Sequence, residues 1–216
     1  AARQNRADSA INLRSESWSY DAGLNFKYPV IERYSLAGSL GYARLDYLNN
    51  SALVDLETFS ASVDLFYVYT SERDIFTGYR YRHGDTSSAS SFSDHAFSVG
   101  LAGKILAKIA GNIRVGYQFR KTSGTNDDDH ESVNASAGVT WNASKRINVS
   151  TQVAKDFSTT ATGINMDSLS ANMDAQYALN SKIAFFTGMG YGTNRFLGAL
   201  GADRRDTFFT WSAGGS

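Results

Sequence analysis

The sequence predicts an antiparallel, up-and-down transmembrane β-barrel, and three observations carry that prediction. Between Trp18 and Tyr28, Trp18, Tyr20, Ala22, Leu24, Phe26 and Tyr28 alternate with Ser17, Ser19, Asp21, Gly23, Asn25 and Lys27. Period-two alternation is a strand with one apolar and one polar face, and about eleven residues of it cross a bilayer at a tilt. The same pattern returns until eleven such segments fill the chain. The connections between them alternate short and long, as the periplasmic turns and extracellular loops of outer-membrane barrels do.

The second segment runs from about Tyr34 to Asp46, with Tyr34, Leu36, Leu40 and Tyr42 facing one way. After Tyr42 the apolar positions move to Ala43, Leu45 and Tyr47, which predicts a bulge. Phe59, Ala61, Val63, Leu65, Tyr67 and Tyr69 form the third apolar face, and Ile75, Tyr79 and Tyr81 the fourth. The fifth sets Phe97, Val99, Leu101 and Ile105 against Ser98, Gly100, Ala102 and Lys104. The sixth sets Ile113, Val115, Tyr117 and Phe119 against Arg114, Gly116, Gln118 and Arg120. Val133 to Trp141, Ile147 to Val153, Leu169 to Tyr177, Ile183 to Tyr191 and Phe209 to Trp211 repeat the rule. Short turns are expected near Pro29 to Arg33, Ser71 to Asp74, Leu106 to Gly111, Ala143 to Lys145 and Asn180 to Lys182. The single proline, Pro29, is placed in the first of them, since a central strand excludes it.

The first segment enters a short turn and the last follows a long loop, so both descend from the outer side. Antiparallel closure then needs another ascending strand, and the expectation is a piece of a larger barrel of about 12 or more strands. Residues 1–14 are read as an N-terminal loop or tail, and residues 15–216 as the barrel domain, incomplete as it stands.

Composition narrows the function classes. Lys plus Arg number 21 and Asp plus Glu number 21, so the basic excess of a nucleic-acid binder is absent. The chain has no cysteine, which removes disulfides and thiolate metal sites. Aromatic residues are 13% of the sequence and cluster at segment ends, which suits two interfacial girdles. Tyr28, Tyr34, Tyr67, Tyr69, Trp141 and Tyr177 lie toward the short turns; Trp18, Tyr20, Tyr42, Tyr81, Phe119 and Trp211 lie toward the long loops. A soluble lipid-binding barrel would have to enclose all the apolar faces in one large cavity, which eleven long strands oppose.

The stretch Gly100-Leu101-Ala102-Gly103-Lys104, then Lys108, then Gly111-Asn112-Ile113-Arg114-Val115-Gly116-Tyr117-Gln118 resembles a hairpin of the outer-membrane β-barrel porin families of Gram-negative bacteria. Some members of those families are encoded near exopolysaccharide genes. The resemblance implies an outer-membrane location, a barrel shape and a role in passage or export, and it brings no catalytic residue.

The polar faces hold the charges. Asp21, Lys27, Asp64, Arg80, Arg82, Lys104, Arg114, Arg120, Asp156 and Asp174 are expected to face the lumen, because charge against hydrocarbon is costly. Arg80, Arg82, Arg114 and Arg120 could form a basic wall opposite Asp64, Asp156 and Asp174; the bland alternative is that these charges pair and fill a closed interior. His83, His95 and His130 fall at segment ends or in loops. Ser93, Asp94 and His95 are consecutive, but a triad is recognised by geometry, so they are read as solvated loop residues. Asp127, Asp128 and Asp129 form a weak candidate cation loop, read in preference as an acidic loop tip. Arg195, Arg204 and Arg205 could contact lipopolysaccharide phosphates or be a solvated rim.

The first-ranked reading is a porin-like pore or export conduit for polar solutes or polysaccharide. The second is a structural or adhesive barrel with a closed lumen, and an outer-membrane hydrolase ranks last, so no enzyme is expected. No cofactor is expected. Membrane lipid and lipopolysaccharide are the expected surroundings, with polysaccharide or small polar solutes as partners and no nucleic acid.

Overall fold

The structure, a computed structural model, describes residues 16–48, 53–88, 90–124, 129–180, 182–197 and 204–215. Eleven strands occur in them: β1 (Glu16–Ile31), β2 (Tyr34–Leu48), β3 (Leu56–Thr70), β4 (Arg73–Thr86), β5 (Ser91–Leu106), β6 (Ile109–Ser123), β7 (His130–Asn142), β8 (Ile147–Thr159), β9 (Asn165–Ala178), β10 (Ala184–Phe196) and β11 (Arg205–Gly215). They form one sheet in sequence order, each strand antiparallel to its neighbours. Residues 1–14, read from the sequence as a tail, lie outside the described residues.

Strands of 16 residues in β1 and β5 exceed the length that crosses a bilayer. The excess explains two departures from the sequence reading. No bulge follows Tyr42: β2 pairs with β1 and β3 without a shift there. Tyr42, Arg44 and Asp46 stay on one face, and the apolar residues change sides because the strand has passed beyond the apolar band. Pro29 sits inside β1, paired with Ser35, with a register shift between Pro29 and Ile31. β1 is an edge strand, which tolerates a residue without an N–H.

The register also shows the tilt. The cross-strand row through Leu24 runs Leu40, Ala61, Tyr81, His95, Phe119 and Glu131. It starts among aliphatic residues in β1 and ends at a carboxylate in β7. The apolar band therefore crosses the hydrogen-bonded rows obliquely, as tilted barrel strands require. Large apolar side chains on this face are open to the surroundings: Leu24, Val99 and Trp211 are 73%, 62% and 78% exposed.

The opposite face is concave. Val54 N–H donates to Ala161 O at 2.8 Å, joining the β2–β3 and β8–β9 connections. Asp64 on β3 meets Arg114 on β6, and Arg80 on β4 meets Asp156 on β8. β1 and β11 are not paired with each other, and both run in the same direction, because an odd number of antiparallel strands separates them by an even number of reversals.

Candidate functional site on the concave face

Two packed groups of charges occupy the concave side. Nearer the short turns, Arg114 Nη1 and Nη2 donate to Asp64 Oδ1 and Oδ2 at 2.9 and 2.8 Å. The guanidinium also lies 4.6 Å from the centre of the Phe76 ring. Glycine makes room for it: a Cβ on Gly78 would stand 1.8 Å from Asp64 Oδ1, and one on Gly100 would stand 2.2 Å from the Phe76 ring.

The second group lies in the strand extensions toward the long loops. Arg120 Nε and Nη2 donate to Asp94 Oδ1 and Oδ2 at 2.6 and 2.8 Å, and both side chains are essentially inaccessible, at 0% and 1%. Arg82 Nε reaches the same Asp94 Oδ2 at 2.7 Å, and Arg80 Nη2 reaches Asp156 Oδ1 at 2.8 Å. The Phe92 ring packs 4.0 Å from the Arg120 guanidinium carbon. The buried Gln118 amide is oriented with its nitrogen donating to Asp156 Oδ1 at 2.6 Å and its oxygen accepting from Phe157 N–H at 3.2 Å. Its oxygen would otherwise face a carboxylate oxygen.

The local cause of this cluster is a gap in the sheet. Pairing of β7 with β8 stops at Ala135–Lys155. Beyond it, the Phe157 carbonyl lacks a β7 partner, and a buried carbonyl must find a donor elsewhere. Arg82 Nη2 donates to Phe157 O at 2.8 Å and Arg120 Nη1 to Ser158 O at 3.1 Å. On the convex side, Lys155 Nζ spans the same gap, donating to Val133 O at 3.1 Å, Ser132 Oγ at 2.5 Å and Asp167 Oδ2 at 2.8 Å. Side chains thus replace the missing ladder.

The other charges expected in a lumen are also on the concave face by register. Lys27 is 3.9 Å from Asp74, and Lys104 is 2.8 Å from Glu72 at the short-turn rim. Asp21 is exposed and accepts from Ser19 Oγ at 3.3 Å. Asp174 lies between Ser150 and Gly188 with no ion pair among the described residues. A basic wall opposite an acidic one is not the arrangement found. The curvature brings Arg114 to Asp64 and Arg80 to Asp156, so those charges pair directly. Asp94 escapes a sequence reading in which the fifth strand starts at Phe97, where the apolar band begins. The alternation Phe92, Asp94, Ala96 was the available signal.

Trp18, Tyr20, Tyr28, Tyr67, Tyr81, Trp141, Tyr177 and Trp211 all fall on the convex face by register, and Tyr69 sits at the register shift between Val68 and Thr70. Asp94 points inward while Ser93 and His95 point outward, so the consecutive Ser93, Asp94 and His95 do not converge. His95 Nδ1 contacts Tyr79 Oη at 2.7 Å instead. His83 Nδ1 lies 3.0 Å from Ser93 Oγ and its Nε2 lies 3.3 Å from Asp85, on an open rim where the two titratable side chains are 39% and 63% exposed. Among the described residues no cluster suited to a metal ion occurs. Asp129 is exposed, and Asp127 and Asp128 lie outside the described residues.

Residues 94–215 match a family described as "Putative beta-barrel porin 2". No curated protein matches the chain. Among solved structures, the FrpB iron transporter from Neisseria meningitidis superposes with a TM-score of 0.62 at 10% identity, covering 91% of this chain and 41% of that one. This chain therefore spans less than half the length of that transporter, and the likeness is one of fold. OmpT, an outer-membrane protein of Vibrio cholerae, gives a TM-score of 0.41 at 12% identity, covering 91% of this chain and 87% of that one. The KdgM porin, solved in complex with disordered oligogalacturonate, gives 0.34 at 9% identity, covering 92% and 96%.

Proposed function

Because the chain belongs to the family described as "Putative beta-barrel porin 2" and is an outer-membrane β-barrel, we propose that it forms part of the wall of a water-filled passage for small polar solutes or glycan chains. One observation carries this reading. The concave face is polar along its whole width, and it is wet where it is not packed: Asn25 on β1, Gln152 on β8 and Asn172, Asp174 and Gln176 on β9 are exposed. The Arg82–Asp94–Arg120 cluster and the joined loops fill only the outer end between β4 and β9. The passage in this reading runs beside that packed shoulder, against β1, β2 and β9 to β11. Since β1 and β11 run in the same direction, antiparallel closure takes at least one more strand between them, whatever its source.

Single-channel recording in planar bilayers tests the proposal. Steady ohmic steps, with ion selectivity moved toward anions by Asp174→Lys, are the expected result. A silent but folded barrel overturns it. That outcome favours the second reading, a structural or adhesive barrel with a closed lumen, which the packed outer shoulder supports.

The same reading gives the convex rim a lipid contact. Among the described residues, Lys155, Arg195 and Arg205 line one hollow of about 220 Å³ with a single carboxylate, Asp167, and with Leu169. We infer that this hollow meets lipopolysaccharide phosphates, which Arg matches in geometry. Arg204 stands apart, held to Asp206 at 2.7 Å; that hydrogen bond, and then the carboxylate's charge, raise the guanidinium pKa further. No catalytic residue is assigned.

A further inference from the structure

Above the buried Arg120 lies a cavity of about 200 Å³, lined in part by Thr86, Ser88, Ser90, Thr122, Thr159 and Thr162. Its roof is the β8–β9 connection, held in place by the bond from Val54 N–H to Ala161 O and turned at Gly163, whose φ is +79°. Its floor is Asn165, which accepts from Arg120 Nη1 at 2.9 Å and donates from Nδ2 to Thr122 Oγ1 at 3.1 Å. The Arg120 charge is already met by Asp94, so the floor presents an amide and hydroxyls rather than an open cation. Among the described residues, no Asp, Glu, Lys or Arg lines the cavity, and His130 is its one titratable wall residue.

The hydroxyls keep bonding capacity. Thr86 Oγ1 donates to Ser90 O at 2.7 Å, so in its 3.0 Å contact with Ser88 the proton comes from Ser88. Ser88 Oγ is left as an acceptor. Thr122 accepts from Asn165 and retains its own proton to donate. A wall of mixed donors and acceptors without net charge, backed by Phe92, Ile164 and Leu197, is what a neutral polyhydroxylated ring needs: many hydrogen bonds on its edges and some apolar cover for its C–H faces. The volume lies below the usual range for drug-sized ligands, which suits one small ring.

We propose that this cavity is a binding site for a single neutral sugar unit, at the outer mouth of the barrel. The proposal deepens the passage reading by naming a ligand class, but it does not depend on conduction. A barrel that binds sugar without conducting would refute the pore and leave the site standing.

Isothermal titration of the purified, folded full chain in detergent, with D-glucose, D-galactose and D-glucuronate as probes, tests it. The expected result is a dissociation constant on the order of 1 mM or tighter for at least one neutral sugar, with glucuronate weaker. Thr122→Phe fills the cavity and should abolish binding. Thr122→Val keeps the shape, removes the hydroxyl and should weaken binding roughly tenfold. Heat-modifiable gel mobility shows that each variant is folded. Folded wild-type chain that binds neither hexose overturns the proposal. So does tighter binding of glucuronate than of both hexoses, or undiminished binding by a folded Thr122→Phe variant.

Discussion

Replacing Asp94 with Asn is the most discriminating perturbation of this chain. Asp94 accepts from Arg120 at 2.6 and 2.8 Å and from Arg82 at 2.7 Å, and its side chain is 1% exposed. The asparagine keeps the shape but removes the charge that two guanidiniums face. Asp156 remains the nearest carboxylate, and it already serves Arg80. Removing one partner of a buried pair costs about 3–5 kcal/mol, because an uncompensated charge stays in a dry place. That is roughly two to three and a half decades in the folding equilibrium. Urea titration of the refolded barrel in detergent micelles, read by tryptophan fluorescence and gel mobility, measures it. Asp46→Asn is the control, since its partner Arg44 is half exposed and such a pair contributes about 0–1 kcal/mol. A loss below about 1 kcal/mol for Asp94→Asn would show water reaching Arg120, and would refute a packed outer shoulder.

Four further outcomes follow from the same geometry. Val63→Arg, at a convex position 41% exposed within the apolar band, should destabilise the barrel in lipid vesicles by about 2–4 kcal/mol. Asn25→Arg, on the concave face of β1, should change stability by less than about 0.5 kcal/mol; equal losses would mean the faces are assigned wrongly. Gly103→Ala should cost more than about 1 kcal/mol, since φ is +106° and the new Cβ would lie 2.2 Å from Glu72 O; urea midpoints report it. Lys155→Met removes the amine that spans the β7–β8 gap, so amides around Val133 and Phe157 should exchange about tenfold faster while those of β3 stay unchanged.

The eleven strands, their antiparallel order and which residues share a face are legible in the residues. A period of two survives in any strand that divides water from hydrocarbon, and each strand declares it locally. Leu24 against Asn25 and Val63 against Asp64 needed no neighbour to be read. The apparent bulge after Tyr42 shows where that reading fails. Outside the apolar band the solvent on the two faces is the same, so alternation no longer encodes direction, and Leu45 misled. For the same reason the sequence reads Asp94, three residues before Phe97, as a loop residue. Partner choice was beyond the sequence altogether. Arg80 and Asp156 are 76 residues apart and meet only because the sheet curls until β4 faces β8. Curvature is a property of the sheet as a whole, set by twist and by the interrupted β7–β8 ladder, and no single strand states it. The chain's order thus determined which side chains face inward, and the bend of the finished sheet decided which charges would touch and which would remain open to water.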